Sequence, residues 1–430
     1  MPGEHPQRHI LSNEVHARPF VPLTPPIRAT HLALLTGEGG AEDDRASVAR
    51  LCERYGVEPP AAGANHALID FGDFRLRWER HTEFCSYTVF VGGALPGDPF
   101  AHPALEAVPR DWLASLPDEL LVAVNLALND AGEATRAPED IAPLMNSVNF
   151  AGASVAGDNA YAFMNFAIDD AGFGRIFVQD RGLGRYQAGR LVQRLLEIET
   201  YRMLALLALP VARSQGKELS HIQTRLASIT TEMNDLESLE DERRMLRDLT
   251  GLAQDIEAIA ASTQYRFGAG NAYYGLVQGR IAELREVRIP GFQTLAEFID
   301  RRLAPAMNTC QAVDQRRDRL ARDLARAVDL LHTRVNVRVE AQNRDLLASM
   351  DHRSNLQIRL QETVEGLSVA AITYYAVSLI NYAAGAIEQT GVAVNTAIVT
   401  GVSIPIVAGT VWYIIRRVRR HIERRVGYAR

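Results

Sequence analysis

Residues 366–387, GLSVAAITYYAVSLINYAAGAI, and 389–415, QTGVAVNTAIVTGVSIPIVAGTVWYII, decide the architecture, because neither run carries a formal charge. About 20 apolar residues at helical rise cross a hydrocarbon core of roughly 30 Å, so each run is long enough to span a bilayer. Directly after the second run come seven arginines (416, 417, 419, 420, 424, 425 and 430) against one acid, Glu423. The connection around Glu388–Asn395 holds no basic residue, so the arginine-rich tail is expected to stay cytoplasmic and the connection to face outward. Two spans then put residues 1–365 on the cytoplasmic side as well. Trp412 and Tyr413 stand at the border with the tail, where amphipathic rings favour the headgroup layer. The opening MPGEHPQRHILSNEVHARPF has no apolar segment and does not read as a signal peptide.

The charge is segregated. The chain carries −6 and the tail from Arg416 carries +6, which leaves −12 on residues 1–415. An acidic body with a terminal basic knot lacks the basic face that phosphate backbones need, which excludes a nucleic-acid binder. Cys52, Cys85 and Cys310 are far apart, with no CxxC pair. That spacing argues against a disulfide framework or a zinc knuckle and for a reducing compartment.

Working backward from the apolar runs, residues 185–365 read as almost wholly helical. Leu219, Ile222, Leu226, Ile229, Met233 and Leu236 step by three and four, a coiled-coil seam. A break near Arg288–Gly291 precedes a further helix. From Pro305 to Glu388 there is no other proline, which predicts one helix opened by Pro305 and running into the first apolar run. Residues 1–184 instead alternate apolar and polar residues between turn signals. Strands are expected at 31–36 and 67–71 around a helix near 42–55. Residues 74–92 should form two strands or one bent one, and 119–128 a buried strand. A hairpin turning at Gly157-Asp158-Asn159 and a strand at 175–180 complete a mixed sheet. The expected fold is thus an α+β cytoplasmic domain (1–184), a helical or coiled-coil stalk (185–365), a two-helix transmembrane hairpin (about 366–387 and 394–415) and a basic tail (416–430).

Two constellations invite chemistry. Asn13, Glu14, His16 and Arg18 fall in NEVHARP, with Glu14, His16 and Arg18 on one side of an extended segment. Arg75, Arg77, Glu79, His81 and Glu83 recur at period two along a strand. Pairing the two segments would gather histidines, carboxylates and guanidiniums that suit a metal, an anion or a partner; alone, each makes a salt-bridged polar sheet face. No cofactor is expected, although a divalent cation fits such a patch. The glycines 182, 184 and 189 miss the dinucleotide spacing, and Lys217, the only lysine, follows no phosphate loop. Glu232, Asp235, Glu237, Glu240, Asp241 and Glu242 read as a solvated acidic face. No G-x-S-x-G, HExxH or EF-hand loop occurs, so nothing points to a hydrolase.

Within the apolar runs, Thr373, Tyr374, Ser378 and Asn381 either line a polar path or join helices by hydrogen bonds. Ala393, Ala397, Gly401, Pro405 and Gly409 form a small-residue stripe that lets a neighbouring backbone approach. Pro405 is expected to kink its helix.

The segments NEVHARP, RWERHTEF and, above all, TVEGLSVAAITYYAVSLI resemble a bacterial family of membrane-anchored proteins defined by a domain of unknown function. That resemblance spans essentially the whole chain and implies attachment to the cytoplasmic membrane. More loosely, the order of cytoplasmic domain, long helix, two spans and basic tail is similar to the CorA-type divalent-metal channels. That likeness implies a homo-oligomer, by analogy a pentamer. Their Gly-Met-Asn signature is missing: the corresponding stretch reads Ala383-Ala384-Gly385-Ala386-Ile387-Glu388. The function expected is a non-enzymatic, homo-oligomeric sensor or scaffold in the membrane that also admits ion conduction. The alternatives are a dedicated ion channel or an anchored enzyme built on a His16/His81 pocket that would also hold Glu14 and Glu83.

Overall fold

The computed structural model describes residues 4–9, 19–36, 41–95, 97–117, 119–132, 136–233, 238–388 and 395–426. They divide into two compact units, Met1–Val328 and Asp329–Arg430.

The first unit is organised by a nine-stranded mixed sheet. Its strands are β1 (Ile27–Leu35), β2 (His66–Asp70), β3 (Arg75–Arg80), β4 (Phe84–Gly92), β5 (Glu119–Leu128), β6 (Ala151–Val155), β7 (Ala160–Met164), β8 (Gly174–Asp180) and β9 (Val287–Arg288). They run in the order β2-β3-β4-β1-β5-β8-β7-β6-β9. Neighbours are antiparallel except β5 and β8, which are parallel. β5, the continuous apolar run ELLVAVNLAL, lies between β1 and β8, where both of its faces are covered. The expected hairpin is β6–β7, with Ala156, Gly157 and Asp158 all at positive φ in the turn. The alternating stretch 74–92 resolves into β3 and β4, joined by a tight turn at His81-Thr82-Glu83.

Helices cover the sheet on both faces. On one side, α1 (Ala41–Tyr55) and the single-turn α2 (Arg110–Leu113) bury Val48, Leu51 and Trp112 against Leu76, Trp78, Tyr87 and Val89. Farther along that side, α3 (Pro138–Met145) adds Ile141 and Met145 to Phe163 and Phe177. The opposite face packs on α4 (Arg185–Leu206), joined at Leu207 to α5 (Ala208–Glu232), then α6 (Leu239–Leu284) and the start of α7 (Leu295–Glu388). Leu191, Leu195 and Ile198 of α4, Val277 and Leu284 of α6, and Leu295 and Ile299 of α7 share one core with Val124, Leu126 and Val178 of the sheet. The expected division at 184/185 therefore falls within a single hydrophobic core. Leu219, Ile222, Leu226, Ile229 and Met233, the expected seam, are buried on and just after α5, which lies beside α6; Leu236 is outside the described residues. Cys52, Cys85 and Cys310 are buried and form no disulfide.

Pro305 does not open the last helix. α7 begins ten residues earlier and carries Pro305 in its interior. The start is fixed by a capping box: Thr294 Oγ1 accepts from the Glu297 amide at 3.1 Å, and the Glu297 carboxylate accepts from the Thr294 amide at 3.1 Å. Glu286 reinforces it by accepting from the Leu295 and Ala296 amides, both at 3.0 Å. Four backbone amides at the helix start are thus satisfied upstream of the proline, and they outweigh the single amide that Pro305 lacks.

In the second unit, α7 continues to Glu388 and α8 spans Thr396–Val426. Each contains an 18-residue window long and apolar enough to cross a membrane, with mean hydropathy 1.4 and 1.9. None of either window is buried within the chain.

Close packing of the 19–23 segment on α4 gives a direct test. A Cβ on Gly189 would sit 2.1 Å from the Val21 carbonyl oxygen, whereas one on Gly268 of α6 would meet nothing within 4 Å. Gly189→Ala should therefore destabilise the first unit by at least about 2 kcal/mol. Gly268→Ala should be neutral or stabilising by up to about 1 kcal/mol. Urea unfolding followed by tryptophan fluorescence distinguishes them.

Candidate functional site

β3 alternates: Leu76 and Trp78 enter the α1 core, so Arg77 and Glu79 must face the other way. β4 alternates in register, sending Phe84, Ser86 and Thr88 to that same side. There the covering helices α4 and α6 leave a cavity of about 520 Å³. Its sheet wall is formed by His31 of β1, Arg77, Glu79, Ser86 and Thr88, with His81 and Thr82 at the β3–β4 turn. Its helical wall is formed by Gln193, Glu197, Thr200 and Tyr201 of α4 and Tyr273, Leu276 and Arg280 of α6.

The charges in this wall are compensated. Arg77 donates to Glu79 at 2.7 Å, and their side chains are only 8% and 12% exposed. Arg280 pairs with Glu197 and also donates to Glu283 at 3.0 Å. Gln193 adds a 2.6 Å hydrogen bond to Glu197. Removing one member of the shielded Arg77–Glu79 pair typically costs about 3–5 kcal/mol, because the other charge is left buried, whereas the more exposed Arg280–Glu197 pair costs less to open. The Arg77–Glu79 pair therefore acts as a fixed feature of the wall.

His31 forms the floor. Thr200 Oγ1 donates to the Leu196 carbonyl at 2.9 Å, so its oxygen accepts from His31 Nε2 at 3.0 Å. His31 Nδ1 then accepts from Thr88 Oγ1 at 2.8 Å. Both ring nitrogens are used by the neutral Nε2–H tautomer. Burial first, then the Arg77 and His81 charges, push the His31 pKa down to about 3. The aromatic groups stack in pairs: His81 lies on Phe84 with ring centres 4.1 Å apart, and Tyr201 on Tyr273 at 5.7 Å.

Of the expected patch, Arg77, Glu79 and His81 come together on this wall. Glu83 turns away to α6, where Tyr265 Oη donates to it at 2.9 Å and the Arg266 guanidinium grips both its oxygens at 2.6 and 3.2 Å. Asn13, Glu14, His16 and Arg18 lie outside the described residues. Arg75 sits at the opposite end of β3, its guanidinium over the Phe90 ring. Among the described residues, no group of three or more His, Cys, Asp or Glu is arranged to hold a metal ion. Sequence reasoning missed His31, Glu197, Thr200 and Arg280. The one local signal was His31 itself, a titratable group inside the apolar strand IRATHLALL.

In the second unit, Thr373, Tyr374, Ser378 and Asn381 line one open groove of about 900 Å³ between α7 and α8, facing Ala397, Thr400 and Gly401. Asn381 Oδ1 accepts from Thr400 Oγ1 at 2.8 Å, and Ser378 Oγ donates to the Tyr374 carbonyl at 2.8 Å. A Cβ on Gly401 or Gly409 would meet nothing within 4 Å, so among the described residues no neighbour packs closely on the stripe at these two positions. α8 continues through Pro405, and Ala393 lies outside the described residues.

The chain belongs to the family described as "Protein of unknown function (DUF3422)", whose model matches residues 3–422. The matched span takes in the sheet, the polar cavity and both apolar helices. No curated protein matches the chain.

The neutral state of His31 sets a pH dependence. Unfolded, its imidazole takes up a proton near pH 6.5; folded, it does not until about pH 3. Its contribution to stability is complete above pH 6.5 and is lost as pH falls from 6.5 toward 3, at about 1.4 kcal/mol per pH unit for one proton. His31→Gln should lower stability at pH 7 and flatten the acid limb by that one-proton slope. Chemical denaturation between pH 4 and 8 checks it, and the ¹⁵N shifts of His31 should still report a neutral ring at pH 5.

Proposed function

We propose that this protein is a membrane-anchored sensor or scaffold, held in the cytoplasmic membrane by the apolar part of α7 and by α8, with its first unit taking up a small ligand in the polar cavity. The observation that carries the anchor is that none of either apolar window is buried within the chain. Leu367, Leu379, Tyr382, Ile398 and Ile406 are each more than 60% exposed. In water each such side chain forgoes about 1.5–3 kcal/mol of burial, a deficit that lipid removes. The arginines after Ile415 support a cytoplasmic tail, and an outward Glu388–Asn395 connection follows from it.

Binding is a better reading of the cavity than catalysis. A general base works best with a pKa near the operating pH, and His31 falls far below it, with both nitrogens engaged by hydroxyls. The Asn381–Thr400 bond favours helix-joining over pore-lining for the polar set of the first span. Assembly of several copies in a CorA-like manner would use the open groove and the stripe at Ala397 and Gly401, with conduction as a secondary capacity of such an assembly.

The full chain should sediment with membranes, resist carbonate extraction and require detergent for release. A reporter fused after Arg430 should register as cytoplasmic. Release by carbonate, or a reporter on the outer side, overturns the anchor. A cross-linking ladder above the monomer in native membranes tests assembly, and a strictly monomeric pattern overturns it.

A further inference from the structure

The cavity between β3–β4–β1 and helices α4 and α6 selects by charge balance as well as by shape. This inference rests on the reading of the cavity as a ligand site and specifies what enters it. Its wall presents two guanidiniums, Arg77 and Arg280, and two carboxylates, Glu79 and Glu197, so the formal charge of these four is zero. An anion entering the site meets two carboxylates, and a cation meets two guanidiniums. Either ion gives up its hydration with no net Coulombic return. A zwitterion gains from both signs only by prising apart an ion pair such as Arg77–Glu79, which is already closed at 2.7 Å and shielded from water.

One class of ligand avoids these penalties. A hydroxyl both donates and accepts, so a pair of neighbouring hydroxyls can accept from a guanidinium and donate to its carboxylate without separating them. The rest of the wall continues the theme: Ser86, Thr88 and Thr200 are at most 4% exposed yet border the cavity. The Tyr201–Tyr273 stack gives the helical side an aromatic surface for the C–H face of a ring. We infer that the cavity binds a small neutral polyhydroxylated molecule, of the size of a monosaccharide or cyclitol. Its volume of about 520 Å³ lies within the range of small-molecule sites and admits a single ring with bridging waters.

The test uses the full chain in detergent, with calorimetry and thermal unfolding against D-glucose, D-ribose and myo-inositol on one arm. Inorganic phosphate, glycine betaine and L-glutamine form the other arm. At least one neutral polyol should bind and raise the Tm, with an affinity that changes less than twofold between 50 and 500 mM NaCl. Leu276→Trp, at the half-open rim and 41% exposed in the native chain, should weaken that binding at least tenfold while leaving the unliganded Tm unchanged. Glu197→Gln, which makes the wall net positive, should weaken polyol binding and let phosphate bind. Binding of phosphate, betaine or glutamine alone, abolished by Leu276→Trp, overturns the polyol assignment and keeps the cavity as a ligand site. Polyol binding that Leu276→Trp leaves intact places the ligand elsewhere and overturns the inference. A chain that binds no member of either arm removes both the assignment and the sensing role of the cavity, and leaves the membrane anchor untouched.

Discussion

A sheet face bearing Arg77, Glu79 and His31 cannot be sealed by an apolar helix, because every charge taken from water needs a partner. The first unit is arranged around that constraint. On the α1 side, the same strands offer Leu76, Trp78, Tyr87 and Val89, and the helices close on them with an apolar core. On the other side, α4 and α6 bring Glu197, Thr200 and Arg280, and they satisfy the polar groups in pairs instead of excluding them. The standoff between helix and strand that results is the cavity. Glu83, one residue before β4, fastens α6 through Tyr265 and Arg266 and so fixes how far that helix can approach.

Local patterns made much of this legible. The period-two polarity of 75–83 marked the cavity wall before its function, and the apolar run 119–128 marked the strand at the sheet's centre. The Gly157-Asp158-Asn159 turn marked its hairpin, and the length of the uncharged runs marked both apolar helices. Legibility failed where the partner is distant in sequence. Glu197 and Arg280 read as ordinary charges on helices, since nothing within a few residues reveals that they meet each other across 83 positions beneath a sheet. The placement of Glu83 failed for a different reason: period two holds only while a strand continues, and the turn at 81–83 rotates its carboxylate toward α6.

Pro305 shows two local rules in competition. A proline is a familiar helix opener, and 305 is followed by a long stretch without another. Thr294 and Glu297 spell a capping box eleven and eight residues upstream, a signal just as local and stronger in the number of groups it satisfies. Once nucleated there, the helix absorbs one missing amide bond. Weighing caps before prolines would have put the start of α7 where it lies.

The last strand of the sheet has a mechanical meaning. β9 holds its neighbour through only two residue pairs, Ala153 with Arg288 and Ser154 with Val287, and it stands between the end of α6 and the start of α7. Glu286, the residue before it, grips the first amides of α7. A tug on the opening turns of that long helix thus arrives at two places at once, the two-rung edge through Glu286 and the sheet core through Leu295 and Ile299, so the edge strand and the core share the load.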